Sequence, residues 1–254
     1  MKNCIRHILE CTMVILILLS MGNISISAQN NPYVDDRLVH FGFHLGLNFM
    51  SFNVLETDSI TQSAIGDGTI YHARVQSLTP GFSVGFITDV RLSRHLNLRC
   101  TPALHFGQKT ITYRSFQRPD SLIHGTSTGN RATVLSLPIS IPIYLKWSAE
   151  REVNYRPYVI AGGGVSFDLG RDKERVIYQK FFDYFVEVGF GCDFYFQWFK
   201  FCPEIKYQIG FANVLTPISE ADQAQWKVPA ADYFYSNTIS RLTNQMISIV
   251  FNFE

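Results

Sequence analysis

The sequence predicts an all-β chain, an eight-stranded antiparallel transmembrane up-and-down β-barrel with short periplasmic turns and long extracellular loops. Three observations carry this. Strict alternation of large apolar residues with small or polar ones recurs about eight times, and a period of two is the signature of a strand. The connections between these stretches are by turns short and long, as in outer-membrane barrels. The N-terminus reads as a secretory leader, which puts the mature chain outside the cytoplasm.

The leader carries Lys2 and Arg6, an apolar run from Met13 to Leu19, and the small polar stretch Ser25-Ile26-Ser27-Ala28. The apolar run is much shorter than the roughly 18 residues that span a bilayer as a helix. Cys11 precedes that run, whereas a lipidated cysteine would follow it. The chain therefore divides into a signal peptide at 1–28, a periplasmic N-terminal segment at 29–39 and a barrel at 40–254.

The first strand places Phe41, Phe43, Leu45, Leu47 and Phe49 on one face and His40, Gly42, His44, Gly46 and Asn48 on the other. The second runs through Phe82, Val84, Phe86 and Val90. After a tight turn near Ser93-Arg94-His95, the third runs through Leu96, Leu98, Cys100, Leu104 and Phe106. The fourth, Leu135 to Trp147, is the most regular. The fifth spans about Tyr155 to Leu169, the sixth Phe182 to Phe196 and the seventh Phe199 to Phe211. The last carries Ile247, Ile249, Phe251 and Phe253, all expected to face lipid and to form the strand read by outer-membrane assembly machinery. Long connections fall near 53–79, 114–132, 170–180 and 215–238, and short ones at 93–95, 148–154 and 197–198.

Volume decides which face points outward. An eight-stranded barrel has an interior just wide enough for side chains, and about five large apolar residues per strand cannot fit inside it. The Gly-, Ser- and Ala-rich face, which also carries the charges, is the lumen. A charge on the lipid face costs roughly 2–4 kcal/mol for Arg or Lys at mid-bilayer. Trp147, Tyr155, Phe196, Trp198 and Phe199 cluster at the short turns, as an interfacial aromatic girdle does. Pro102, Pro138, Pro142 and Pro203 fall inside strands, where each removes a ladder donor, and bulges or irregular pairing are expected there.

The charge balance of 22 basic against 21 acidic residues gives no electrostatic reason for a nucleic-acid partner. Three cysteines remain after cleavage, Cys100, Cys192 and Cys202, at spacings of neither a disulfide framework nor a zinc site. Cys192 faces out and Cys202 in. His40 and His44 share the lumen face but lie roughly 13 Å apart along a strand, too far for one metal. Glu187 and Glu204, on adjacent strands, have the residue types of an acid–base pair. Lys206 and Lys200 are placed to neutralise them, so buried ion pairing is the reading taken. With the turn centred on Arg94, Leu92 meets Leu96, Val90 meets Leu98 and Asp89 meets Arg99. The expected lumen network is therefore Asp89, Arg99, Glu187, Glu204 and Lys206. No catalytic, metal or cofactor site emerges, so the chain reads as a non-enzyme with no cofactor.

Several stretches resemble the PorT family, outer-membrane barrels of the type IX secretion system of Bacteroidetes. They are Asp36-Arg37-Leu38-Val39-His40-Phe41-Gly42-Phe43, Pro80-Gly81-Phe82-Ser83-Val84-Gly85, Leu96-Asn97-Leu98-Arg99, Tyr155-Arg156-Pro157-Tyr158-Val159 and Phe201-Cys202-Pro203-Glu204-Ile205-Lys206-Tyr207. Arg156-Pro157-Tyr158 and Pro203-Glu204-Ile205-Lys206 are the more specific, because alternation alone does not demand them. The resemblance implies a role in protein export across the outer membrane, and in relatives gliding motility. It also implies outer-membrane lipid and other type IX secretion components as partners, and it implies no catalytic residues. The loops match poorly. That leaves a second reading, a paralogous barrel that binds an external ligand or surface through loops 53–79 and 215–238. A third, a barrel enzyme, lacks a site.

Overall fold

The computed structural model describes residues 37–61, 70, 72–75, 79–114, 131–170, 179–216 and 238–254. The expected leader, and the 29–39 segment up to Asp36, lie outside these, as do the tips of the long connections. Among the described residues eleven strands follow in order: β1 (Val39–Glu56), β2 (His72–Val75), β3 (Thr79–Arg91), β4 (Leu96–Cys100), β5 (Ala103–Arg114), β6 (Arg131–Ser136), β7 (Pro138–Ser148), β8 (Tyr155–Asp168), β9 (Phe182–Tyr195), β10 (Lys200–Gly210) and β11 (Ile239–Phe253).

These segments make eight staves. β3 pairs with both β4 and β5, and β5 with both β6 and β7, so β4–β5 and β6–β7 are each one interrupted stave. β2 and β3 lie along the same neighbour, β5. All the pairings are antiparallel, and β1 pairs with β3 on one side and β11 on the other. The sheet thus returns to its start and closes, which removes its edges.

The alternation follows from closure. Val, Ile, Phe and Tyr suit a pleated surface, and each stave turns its large apolar residues outward. Phe41 is 73% exposed and Phe86 72%, while the lumen-side Asp89 and Arg99 are at 0%. For a chain whose outer face meets lipid, that exposed band is the counterpart of a buried core.

The prolines interrupt the pairing, as expected, but they bring no bulge. Cys100 faces Ile143 before Pro102, and Ala103 faces Ser140 after it, so the register is unchanged across the break. Pro102 still accepts from Phe86 N at 3.0 Å, and Pro142 from Thr101 N at 3.4 Å. Around Pro203 the pairing with β9 lapses between Phe201 and Glu204 and resumes in the same register. Pro138 begins β7 directly after the break at Leu137. Each proline forfeits one donor and keeps its carbonyl, so the wall loses a rung without a bulge.

The lumen also differs from a uniformly polar interior. Toward the long-loop end the inward positions turn apolar. Phe52, Ile111, Tyr113, Val134 and Leu242 pack with Val214, Leu215 and Ile239. This knot closes that end of the barrel much as the core of a soluble domain would.

Candidate functional site: the polar lumen

The β3–β4 turn is closed by hydrogen bonds from Leu92 N and Ser93 N to Leu96 O at 3.0 and 2.9 Å. It sets Asp89 opposite Arg99, and Val90 opposite Leu98. Arg99 Nε donates to Asp89 Oδ2 at 2.9 Å, and Asn97 Nδ2 donates to Asp89 Oδ1 at 2.6 Å. The same guanidinium reaches across the lumen. One terminal nitrogen donates to Glu204 Oε1, and the other to Glu254 Oε1 at 2.7 Å. Since β4 and β10 lie on opposite sides of the ring, this one side chain bridges the barrel.

Glu204 is the second hub. Tyr158 Oη donates to its Oε1 at 2.6 Å, and Lys206 Nζ lies 3.3 Å from its Oε2. Glu187 joins more loosely, with its Oε1 3.8 Å from the same Lys206 nitrogen. The Tyr158–Glu204 bond depends on the residue between them. Gly191 pairs with Tyr158 on one side and Glu204 on the other. A β-carbon at Gly191 would come within 2.5 Å of Tyr158 Oη and 2.8 Å of Glu204 Cγ. The two side chains can lean together only over a bare α-carbon.

All five residues expected in the lumen network thus lie in one connected group. Lys200 does not neutralise Glu187 or Glu204 as expected. It pairs with Glu254, the residue directly opposite it at the end of the β10–β11 pairing. Burial pushes the Glu254 carboxyl up, but Arg99, Lys200 and Lys146 outweigh burial and hold it well below the ordinary carboxylate range. Sequence reasoning missed Glu254 and the pairing of Lys146 with Asp193, at 2.7 and 2.9 Å to its two oxygens. It also missed Tyr158, whose ring lies 3.9 Å from Lys146 Nζ. The inward parity of Lys146 and Asp193 was legible. Their meeting was not, because β7 and β9 are separated by β8.

Farther along, His105 Nε2 and Ser140 Oγ share a hydrogen bond at 2.8 Å, beside buried His44 and Asn48. Lys109 marks the boundary with the apolar knot: it donates to Asn244 at 2.7 Å and lies 4.9 Å from the Phe52 ring centroid. A cavity of about 20 Å³ beside Lys109, Asp168 and Asp183 has room for about one water. Among the described residues no group of three or more His, Cys, Asp or Glu is placed to hold a metal. The arrangement offers fixed charge that is largely neutralised within the network.

A family model described as outer membrane protein beta-barrel domain matches residues 27–216. The chain belongs to that family. Among solved structures, Neisserial surface protein A (NspA) is similar, with a TM-score of 0.42 and 10% identity over 84% of this chain and 97% of that one. A search of curated proteins gives no match.

As an outer-membrane barrel, the molecule contacts membrane lipid with its exposed apolar band, and its short turns face the periplasm. At that end Trp147, Tyr155, Phe196, Trp198 and Phe199 all point outward. Phe196 stacks on Phe199 at 5.1 Å, and Phe199 lies 6.0 Å from Phe253. We propose that these five form the periplasmic girdle. The bridged lumen predicts that purified protein in a planar bilayer shows no steady porin-sized conductance. A stable open current would contradict the bridge.

Proposed function

We propose that this outer-membrane barrel is a non-enzymatic, PorT-like component needed for type IX protein secretion, acting as a fixed structure rather than a conduit. The observation that carries the reading is the Arg99 bridge, which ties β3, β4, β10 and Glu254 together across the lumen. A barrel braced shut in this way is suited to hold its rims in place for other proteins. The two most specific stretches of the resemblance supply that brace. Arg156-Pro157-Tyr158 contributes Tyr158, and Pro203-Glu204-Ile205-Lys206 contributes Glu204 and Lys206. The partners in this reading are outer-membrane assembly machinery during insertion and other secretion components afterwards.

Deletion of the gene, with complementation by the full chain, tests this. The expected result is loss of secreted proteins from the medium and their accumulation inside the outer membrane, reversed on complementation. Normal secretion in the deletion strain would overturn the reading and leave a barrel whose long loops bind an external ligand.

A further inference from the structure

The outward apolar band ends abruptly on one side of the barrel. Along the β4–β5 stave the outward residues run through Leu96, Leu98, Leu104 and Phe106, and then change to Gln108, Thr110 and Thr112. At a rise of about 3.4 Å per residue and a strand tilt of about 40°, the stretch from Leu96 to Phe106 covers about 26 Å, the height of the apolar band of an outer-membrane barrel. Phe106 stacks on Phe82 with ring centroids 4.5 Å apart, so an aromatic pair closes the band. Beyond that pair β5 continues to Arg114. On the same arithmetic it rises about 20 Å farther.

Above this line the two faces of the wall exchange character. Inward, Ala73, Ile111, Tyr113 and Val134 belong to the apolar knot. Outward, β2, β5 and β6 together present polar side chains. Gln108 stands opposite Leu135, Thr110 opposite Thr133, and Thr112 opposite Arg74. Gln108, Thr133 and Arg74 are exposed. Thr110 Oγ1 and Thr133 Oγ1 share a hydrogen bond at 3.2 Å. A wall that is apolar within and polar without is built like that of a water-soluble β-domain, so this stretch stands clear of the hydrocarbon.

We propose that this β2–β5–β6 face binds the sugar-phosphate headgroup of a phosphorylated glycolipid in the outer leaflet. The face continues, on the same staves, the band that contacts membrane lipid, so its occupant stands on the membrane surface. A phospholipid headgroup layer is only about 5–8 Å deep, and it would leave most of the polar rise uncovered. An oligosaccharide headgroup reaches higher. Its hydroxyls match Thr and Gln side chains, which both donate and accept, and a sugar-borne phosphate matches the Arg74 guanidinium. The inference rests on the outer-membrane placement and not on the secretion role.

The test uses the purified full chain in maltoside micelles, titrated in parallel with a lipopolysaccharide that carries core sugars and phosphates and with phosphatidylglycerol, an anionic lipid without sugars. Bound lipid is counted by native mass spectrometry. The expected result is saturable binding of the lipopolysaccharide, at least about tenfold tighter than that of phosphatidylglycerol. In the double variant Arg74→Gln/Thr133→Val that binding should weaken at least about tenfold, the loss of one or more charge-assisted hydrogen bonds. Heat-modifiable gel mobility verifies that the variant folds. Lys180→Gln, on the connection before β9, should bind like the parent. The comparison of the two lipids needs only the parent, so it stands whatever the variant does. Equal binding of the two lipids by the parent, no saturable lipopolysaccharide binding, or an unchanged affinity in the folded double variant would overturn the proposal.

Discussion

Arg99→Met is expected to destabilise the barrel by on the order of 3–5 kcal/mol, enough to lose most of the heat-resistant folded band. Methionine keeps much of the volume but leaves the Asp89, Glu204 and Glu254 carboxylates gathered where the guanidinium stood. All three are shut off from solvent, so neither water nor a counter-ion readily replaces the lost charge. The damage should come from the stranded carboxylates more than from the missing bonds. Asp89→Asn combined with Arg99→Met should therefore cost less than the two single changes summed, and adding Glu204→Gln should recover further stability. Urea unfolding of the refolded proteins, read by tryptophan fluorescence, measures this as a coupling energy. Additive effects would mean that the network is solvated and that the bridge contributes little.

Val188→Arg is expected to show the second-largest effect, for the opposite reason. Val188 is at the middle of β9, points outward, and is flanked by Ala161 and Tyr207. A guanidinium there enters hydrocarbon at about mid-bilayer, at roughly 2–4 kcal/mol. Trp198→Arg, at a turn in the proposed girdle, should cost only about 0–1 kcal/mol because the interface solvates the charge. Unfolding midpoints in lipid vesicles and recovery in the outer-membrane fraction should rank the two variants in that order. Equal costs at the two sites would mean that the apolar band is misplaced along the barrel axis.

The fold was legible because a barrel wall repeats one simple rule, and each stave states it independently. A misread residue in one stave is corrected by the others. The Asp89–Arg99 pairing was legible because a short turn leaves almost no freedom in register. Lys146 with Asp193 is different. That contact depends on how two successive hairpins are displaced along the axis, and no single hairpin encodes that. Lys200 with Glu254 is a rung of the β10–β11 pair, missed because the long connection between those strands leaves their register open. The apolar knot was missed for a related reason. Phe52, Ile111, Val134 and Leu242 share parity with the polar lumen residues of their own staves, and alternation alone does not tell where along the axis the interior changes character. The irregular pairing expected at the prolines is found, in the break at Thr101-Pro102 and the lapse at Pro203, but no bulge accompanies it, because the flanking rungs hold the strands in step.

That last point constrains insertions and deletions. At the Thr101-Pro102 break and again at Leu137, odd or even numbering keeps the same inward sense on both sides. The side-chain period in a strand is two, so losing one residue at either break would exchange lumen and lipid faces for the rest of that stave. Arg99 would stay in place while Lys109 swung toward hydrocarbon. Losing two residues would keep every side chain on its proper face and merely slide the stave by one repeat. Chain length at these joints is thus counted modulo two, a stricter requirement than any particular amino acid there.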